Sequence, residues 1–256
     1  MTKMLFIDVE TAPILGHVWS LWKQNVGLNQ IQEDWYIMSY CAKWAHSDEV
    51  IYEDGRDTPE DDFAMLASLH RLLSEADFVV AHNGDRFDIK KIKARMILQG
   101  LQPPSPFKSI DTLKIAKKEF AFTSNKLAYL TDKLCKTKKL DHAKFAGFSL
   151  WTECLRGNLE AWEEMKEYNI VDVLSLEELY GILRPWSSMH PNVNAHSDDE
   201  TEACPKCGSH SIVKRGFFHT NKGKFQRYKC SGCGGWSSST FSENTQAKRK
   251  SLLASR

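Results

Sequence analysis

No stretch of the 256 residues approaches 18 consecutive apolar positions, so no membrane-spanning helix and no membrane partner are expected. Prolines number 8 and glycines 14, without a period, which excludes collagen-like and Pro/Gly-rich disordered chains. No segment repeats, and that removes solenoids and propellers. Asp8 breaks the first apolar run before the core of a secretory signal can form. The expected location is therefore cytoplasmic, a host's cytoplasm if the chain is phage-encoded. Net charge is almost absent as well, at +1, but the balance conceals an asymmetry. From Cys204 onward eleven Lys/Arg face one acidic residue, Glu243; the remainder holds 23 basic and 32 acidic residues. An acidic body with a basic end suggests a catalytic domain joined to a polyanion-binding module.

What is present begins with Leu5-Phe6-Ile7-Asp8-Val9-Glu10-Thr11. Three apolar residues read as a buried strand, yet carboxylates interrupt it at alternating positions. Side chains two apart on a strand share a face. Two like charges there repel unless a cation lies between them, and oxygen ligands suit a hard ion such as Mg²⁺ or Mn²⁺. A polar strand end that caps the following turn is the competing reading.

After Thr11 a long polar-aromatic connection carries Trp19 and Trp22 and ends at Trp35. Tyr36–Trp44 and Val50–Glu53 read as strands that complete an antiparallel meander with the first. Phe63, Leu66, Leu69, Leu72 and Leu73 follow helical spacing. Phe78-Val79-Val80-Ala81 has the fully apolar character of a central parallel strand. A helix to about Leu98, a short strand over Lys108–Asp111, helices from Thr112 and over Ser124–Leu134, and a long helix from Leu159 to Leu183 follow. The expected fold is a mixed α/β sheet, an antiparallel meander plus parallel strands, flanked by helices.

Asp88 lies just past a strand end, where an open α/β sheet places its ligand site. Asp85 and Asp88 also fit the N-cap and N3 positions of a helix, and Asp111 the N-cap of the next. In the last helix Tyr168 and Asp172 are four apart and share one face. Packing around Ile170, Val171, Val173 and Leu174 means that Asp172 needs a partner. An interhelical salt bridge or a Tyr–Asp hydrogen bond is the structural alternative.

Asp8-Val9-Glu10, His82-Asn83-Gly84-Asp85-Arg86-Phe87-Asp88 and Tyr168-Asn169-Ile170-Val171-Asp172 occur in an order that resembles the DEDD superfamily of 3′→5′ exonucleases, the ribonuclease-H-like proofreading type. The resemblance covers about residues 3–183. The histidine of the His-type branch is replaced by Glu167, and Tyr168 stands where the Tyr-type branch has its tyrosine. The resemblance implies two-metal hydrolysis by Mg²⁺ or Mn²⁺, with Asp8 bridging the ions, Glu10 and Asp172 completing one shell and Asp88 supporting the second ion. Tyr168 would orient the attacking water, since a phenol of pKa about 10 is a poor base near neutral pH. Thr11, Asn83 and Phe87 resemble positions at the terminal nucleotide. The connection from Thr11 to Tyr36 is longer than the compact family pattern. Its Trp19 and Trp22 could stack on bases at the 3′ end, or pack the insertion onto the body.

Cys204-Pro205-Lys206-Cys207 and Cys230-Ser231-Gly232-Cys233 bracket a β-prone stretch that looks like a zinc ribbon. The other three cysteines are scattered, which fits a reducing compartment and one structural Zn²⁺ better than disulfides. Lys214, Arg215, Lys222, Lys224, Arg227 and Lys229, interleaved with Phe217, Phe218, Phe225, Tyr228 and Trp236, suit phosphates and bases. A ribbon that docks a replication or repair protein is the alternative. The expected organisation is an exonuclease domain over 1–184, a linker over 185–203, the ribbon over 204–241 and a basic disordered tail over 242–256. The function expected from the resemblance is a metal-dependent 3′→5′ exonuclease acting on nucleic acid, single-stranded DNA ends favoured, with no small-molecule cofactor. An RNA-directed or structure-specific nuclease and a non-catalytic nucleic-acid adaptor are the alternatives.

Overall fold

The strand that carries Asp8 and Glu10 is the middle of the main sheet. In the computed structural model, which describes residues 2–138 and 144–253, β1 spans Met4–Thr11. A small antiparallel pair follows, β2 (Leu15–Gly16) and β3 (Ile31–Glu33), then β4 (Ile37–Trp44) and β5 (Val50–Asp54). Next come α1 (Phe63–Glu75), β6 (Phe78–Ala81), α2 (Asp88–Leu98), β7 (Lys108–Asp111) and α3 (Thr112–Glu119). Helices α4 (Leu127–Leu134), α5 (Ser149–Leu155) and α6 (Leu159–Leu183) close this part. The five-stranded sheet has the order β5-β4-β1-β6-β7, antiparallel on the β4 side of β1 and parallel on the β6 side. The mixed sheet flanked by helices is the architecture the sequence predicts.

Alternation along β1 sorts its residues between two layers. Leu5, Ile7 and Val9 join a core with Leu66, Leu69 and Ile92 from α1 and α2. Met4 and Phe6 turn the other way, into a core with Val173, Leu176, Leu179 and Leu183 of α6. Asp8 and Glu10 have the parity of Met4 and Phe6, so the strand's own pleat points both carboxylates at α6. Among the described residues no helix is long and apolar enough to cross a membrane.

Several elements differ from expectation. The helix predicted over Ser124–Leu134 starts at Leu127, after Lys126 in extended conformation. Asp85 and Asp88 do not take the N-cap and N3 positions: α2 begins at Asp88 itself, with Phe87 before it. Asp85 instead pairs with Lys114 and accepts from Ser109. Asp111 does cap α3, accepting from Leu113 N–H at 3.0 Å.

The segment expected to be a linker is laid against the body. Val193 is buried in the α6-side core, and His196 sets its edge on Phe78 with centroids 4.7 Å apart. The C-terminal module has three strands, β8 (Ile212–His219), β9 (Lys224–Cys230) and β10 (Trp236–Ser242). In the tail, expected to be disordered, Gln246–Ser251 form α7, whose N-cap Thr245 accepts from Lys248 N–H at 3.2 Å.

Candidate active site

Asp8 and Glu10 from β1 and Asp172 from α6 bring a carboxylate oxygen each within 4.8 Å of one another. Asp172 is buried. Three carboxylates so close fit a hard divalent cation by the chemistry of their donors, since oxygen-only sets suit Mg²⁺, Mn²⁺ and Ca²⁺. Asn169, one turn before Asp172 on α6, orders the first of them. Its Nδ2 donates to Asp8 Oδ2 at 2.6 Å, and its Oδ1 accepts from Ser39 Oγ at 3.2 Å. Asn169 and Ser39 are both fully buried. An ionised carboxylate accepts only, so the amide must face it with nitrogen, and the Ser39 hydroxyl holds that orientation.

Asp88 is brought near, outside the three-residue group. Parallel pairing of β1 with β6 ends at Phe6 and Val80, which leaves Val9 N–H on that edge without a strand partner. Asp88 Oδ1 accepts this N–H at 3.2 Å. One carboxylate oxygen is therefore tied to the backbone between Asp8 and Glu10, and the residue is 3% exposed. Burial pushes its pKa up to about 7, reinforced by the Asp111 and Asp172 charges and opposed by backbone N–H donors.

The turn from β6 into α2 makes this placement possible. Asn83 sits in the left-handed region at φ 69°, its N–H held by Asp111 Oδ1 at 2.9 Å. A Cβ on Gly84 would lie 2.5 Å from the Cβ of Ala81, closer than packing allows.

Tyr168 faces an open cleft of about 560 Å³ together with Asp8, Glu10, Asn83, Phe87 and Asp172. Trp151 of α5 meets the Tyr168 ring edge-on, with centroids 6.1 Å apart. Lys117 of α3 and Lys126 also line the cleft. Sequence reasoning missed Asn169, Trp151, Lys117 and Lys126 as site residues. Asn169 stood inside the third motif, and an amide among apolar helix residues was its one available signal.

Thr11 lies at a register shift at the end of β1 and does not line the cleft. Trp19 and Trp22 are 95% and 82% exposed, so neither packs the insertion onto the body.

The four cysteines of the C-terminal module form the second cluster. Cys204–Cys233 and Cys207–Cys230 Sγ separations are both 3.7 Å. Tetrahedral zinc at about 2.3 Å from each sulfur requires edges of about 3.8 Å, so the residues fit Zn²⁺. Each pair is followed by a glycine with positive φ, Gly208 at 73° and Gly234 at 79°. Their N–H groups return to Cys204 O and Cys230 O, closing two matching knuckles.

A β1-centred mixed sheet with a carboxylate cluster aimed at a closing helix defines a ribonuclease-H-like α/β protein whose carboxylates could hold a cation. A family model for the RNase H superfamily matches residues 25–184, and the chain belongs to that superfamily. The match starts after β1, so Asp8 and Glu10 enter the site by geometry rather than through the matched range. Among solved structures, the family B DNA polymerase from the hyperthermophilic archaeon Pyrobaculum calidifontis is similar with a TM-score of 0.52 at 12% identity. The similarity covers 73% of this chain and 26% of the polymerase, so the chain corresponds to about a quarter of that protein. No curated protein matches the chain.

Proposed function

We propose that the protein is a metal-dependent 3′→5′ exonuclease that hydrolyses phosphodiester bonds at the 3′ end of single-stranded nucleic acid, DNA in preference, with its zinc ribbon aiding binding. The observation that carries this is the convergence of Asp8, Glu10 and Asp172 beside Tyr168 in one open cleft. Membership of the RNase H superfamily supports a nuclease in general. Two divalent cations on these carboxylates would stabilise the attacking and leaving oxygens of an in-line displacement.

The chain's own residues do the rest. Asn169 holds Asp8 in a single orientation. Tyr168, steadied by Trp151, orients the attacking water from one wall. Lys117 and Lys126 sit where phosphates of the strand pass. Phe87, 38% exposed at the mouth, offers a face for the terminal base. Trp19 and Trp22, projecting on the β2–β3 arm, are free to meet bases beyond it. The likeness to a DNA polymerase fold suits a replication or repair context for this activity.

A 20-nucleotide strand labelled at the 5′ end, in DNA and RNA forms, tests the polarity. With Mg²⁺ or Mn²⁺ the DNA should shorten stepwise while the label stays on the longer fragments. Release of a labelled mononucleotide at the earliest time points would assign the opposite direction. Faster digestion of the RNA form would reverse the sugar preference.

A further inference from the structure

Helix α3 joins the carboxylate cleft to the zinc-binding module. Leu113 and Lys117, four residues apart, line the cleft. Lys114, Lys118 and Glu119, on the neighbouring face, line a small cavity with Ser187 and Met189. Glu119 Oε1 accepts from the Ser188 N–H at 2.8 Å and from its hydroxyl at 2.6 Å. Three residues earlier, Pro185 O accepts from Nζ of Lys206 at 2.6 Å, and Lys206 lies inside the first zinc knuckle. The ribbon is thus seated at the far end of α3 rather than held at a distance.

The exposed chemistry along this line alternates cation and aromatic. Lys117, Lys118 and Lys126 are exposed and make no ion pair among the described residues. The acids nearby are already engaged, Glu119 by Ser188 and Asp85 by Lys114. Between α3 and the ribbon stands Trp186, 66% exposed, its edge resting on Phe120 with centroids 5.7 Å apart. Phe120 in turn stacks on Phe122, which gives the indole a firm base. On the ribbon, Arg227 lies over the Trp236 ring at 4.8 Å and Lys224 over Phe217 at 3.7 Å. Cationic side chains beside exposed rings are the elements of a single-strand path, in which phosphates meet cations and bases meet π-faces.

We propose that this line is a binding track for single-stranded nucleic acid, running from the carboxylate cleft over Lys117 and Lys118 to Trp186 and on to the ribbon. The inference rests on the nuclease reading for the strand's 3′ end and extends it to the body of the strand. Its length follows from α6 and its C-cap, twelve residues from Asp172 in the cleft to Arg184 beside Pro185. At a rise of about 1.5 Å per residue that is about 18 Å. With roughly 3.4 Å per stacked nucleotide, about five nucleotides separate the cleft from Trp186. A strand of four nucleotides seated at the 3′ end reaches Lys117 but not Trp186; one of 15 reaches the ribbon.

The test is fluorescence anisotropy of labelled 4- and 15-nucleotide single strands on the full chain without divalent ions, with hydrolysis of the same strands in Mn²⁺ followed in parallel. Trp186→Ala should weaken 15-nucleotide binding by about 5- to 150-fold, the worth of one stacked base. It should leave 4-nucleotide binding within about twofold, and Trp186→Phe should restore most of the loss. Lys117→Met with Lys118→Met should lower the slope of log affinity against log salt by about 1.4 for the 15-mer. The track is refuted if Trp186→Ala changes both lengths equally or neither, or if the salt slope is unmoved. Hydrolysis separates this from the nuclease reading. Cleavage by wild type with no dependence on Trp186 overturns the track alone. Length-dependent binding without cleavage in Mn²⁺ overturns the nuclease alone.

Discussion

Replacing Asn169 by leucine removes one donor from Asp8 while keeping most of the side-chain volume. The lost contact is an amide N–H to a carboxylate at 2.6 Å in a fully buried position. Hydrogen bonds to charged groups contribute about 1.5–3 kcal/mol, and outer partners of metal ligands typically govern 10- to 100-fold of metal affinity or activity. The two scales agree, since about 1.4 kcal/mol corresponds to a tenfold change in an equilibrium constant. Asn169→Leu should therefore raise the Mn²⁺ concentration for half-maximal hydrolysis by about 10- to 100-fold. The rate at saturating metal should change less, because Asp8, Glu10, Asp172 and Tyr168 all remain. Ser39→Ala should act in the same direction and more weakly, since it frees the amide to turn without removing it. The assay is a Mn²⁺ titration of strand digestion, with thermal unfolding as a control for folding. A midpoint within twofold of wild type, in a folded Asn169→Leu protein, would refute the positioning role.

Two further outcomes follow from the structure. Purified protein should contain one Zn²⁺ per chain, and Cys230→Ser should lose it; because structural zinc contributes about 10–16 kcal/mol to folding of such modules, chelation should also expose the ribbon to protease first. A full-length chain that is metal-free yet resists protease across 204–241 would contradict that site. His190 is held neutral, accepting from Tyr180 Oη at 2.8 Å while donating to Pro191 O at 2.7 Å. Burial lowers its pKa to about 4, and the charges of Arg184 and Lys206 act the same way. The unfolded chain then binds the proton first, so this group's contribution to stability is complete above about pH 6.5 and is lost as pH falls toward 4. His190→Gln should flatten the fall in Tm between pH 6.5 and 4.5 relative to wild type; an unchanged slope would remove His190 as its source.

The carboxylates were legible because strand alternation and helical spacing are local rules. Asp8 and Glu10 two apart on β1, and Tyr168 and Asp172 four apart on α6, needed only a shared layer to meet. The sheet's strands were legible for the same reason, from period-2 patterns and from the apolar run at Phe78–Ala81. Asn169 was not, because its role depends on Ser39 arriving from β4 on the opposite side of the amide. Asp88 was legible as a site neighbour, but its bond to Val9 N–H depends on where β6 pairing stops. The linker's polarity concealed its anchoring residues, Val193 in the core and His196 against Phe78. Lys117, Lys126 and Trp186 carry no motif, and only the placement of α3 gives them a common line. The third ribbon strand, Trp236–Ser242, is mostly serine and threonine and lacks the apolar alternation that marks a strand.

We propose that the β1 and α6 carboxylates form a cation-dependent hydrolytic centre. It is tested most directly by incubating an end-labelled single strand with wild type and with Asp8→Asn, each with Mg²⁺, with Mn²⁺ and with chelator. Wild type should release nucleotides only when a divalent ion is present, and Asp8→Asn should lose nearly all of that release while its fold and zinc content are retained. Equal digestion by both proteins, or digestion by wild type that persists in chelator, would contradict it.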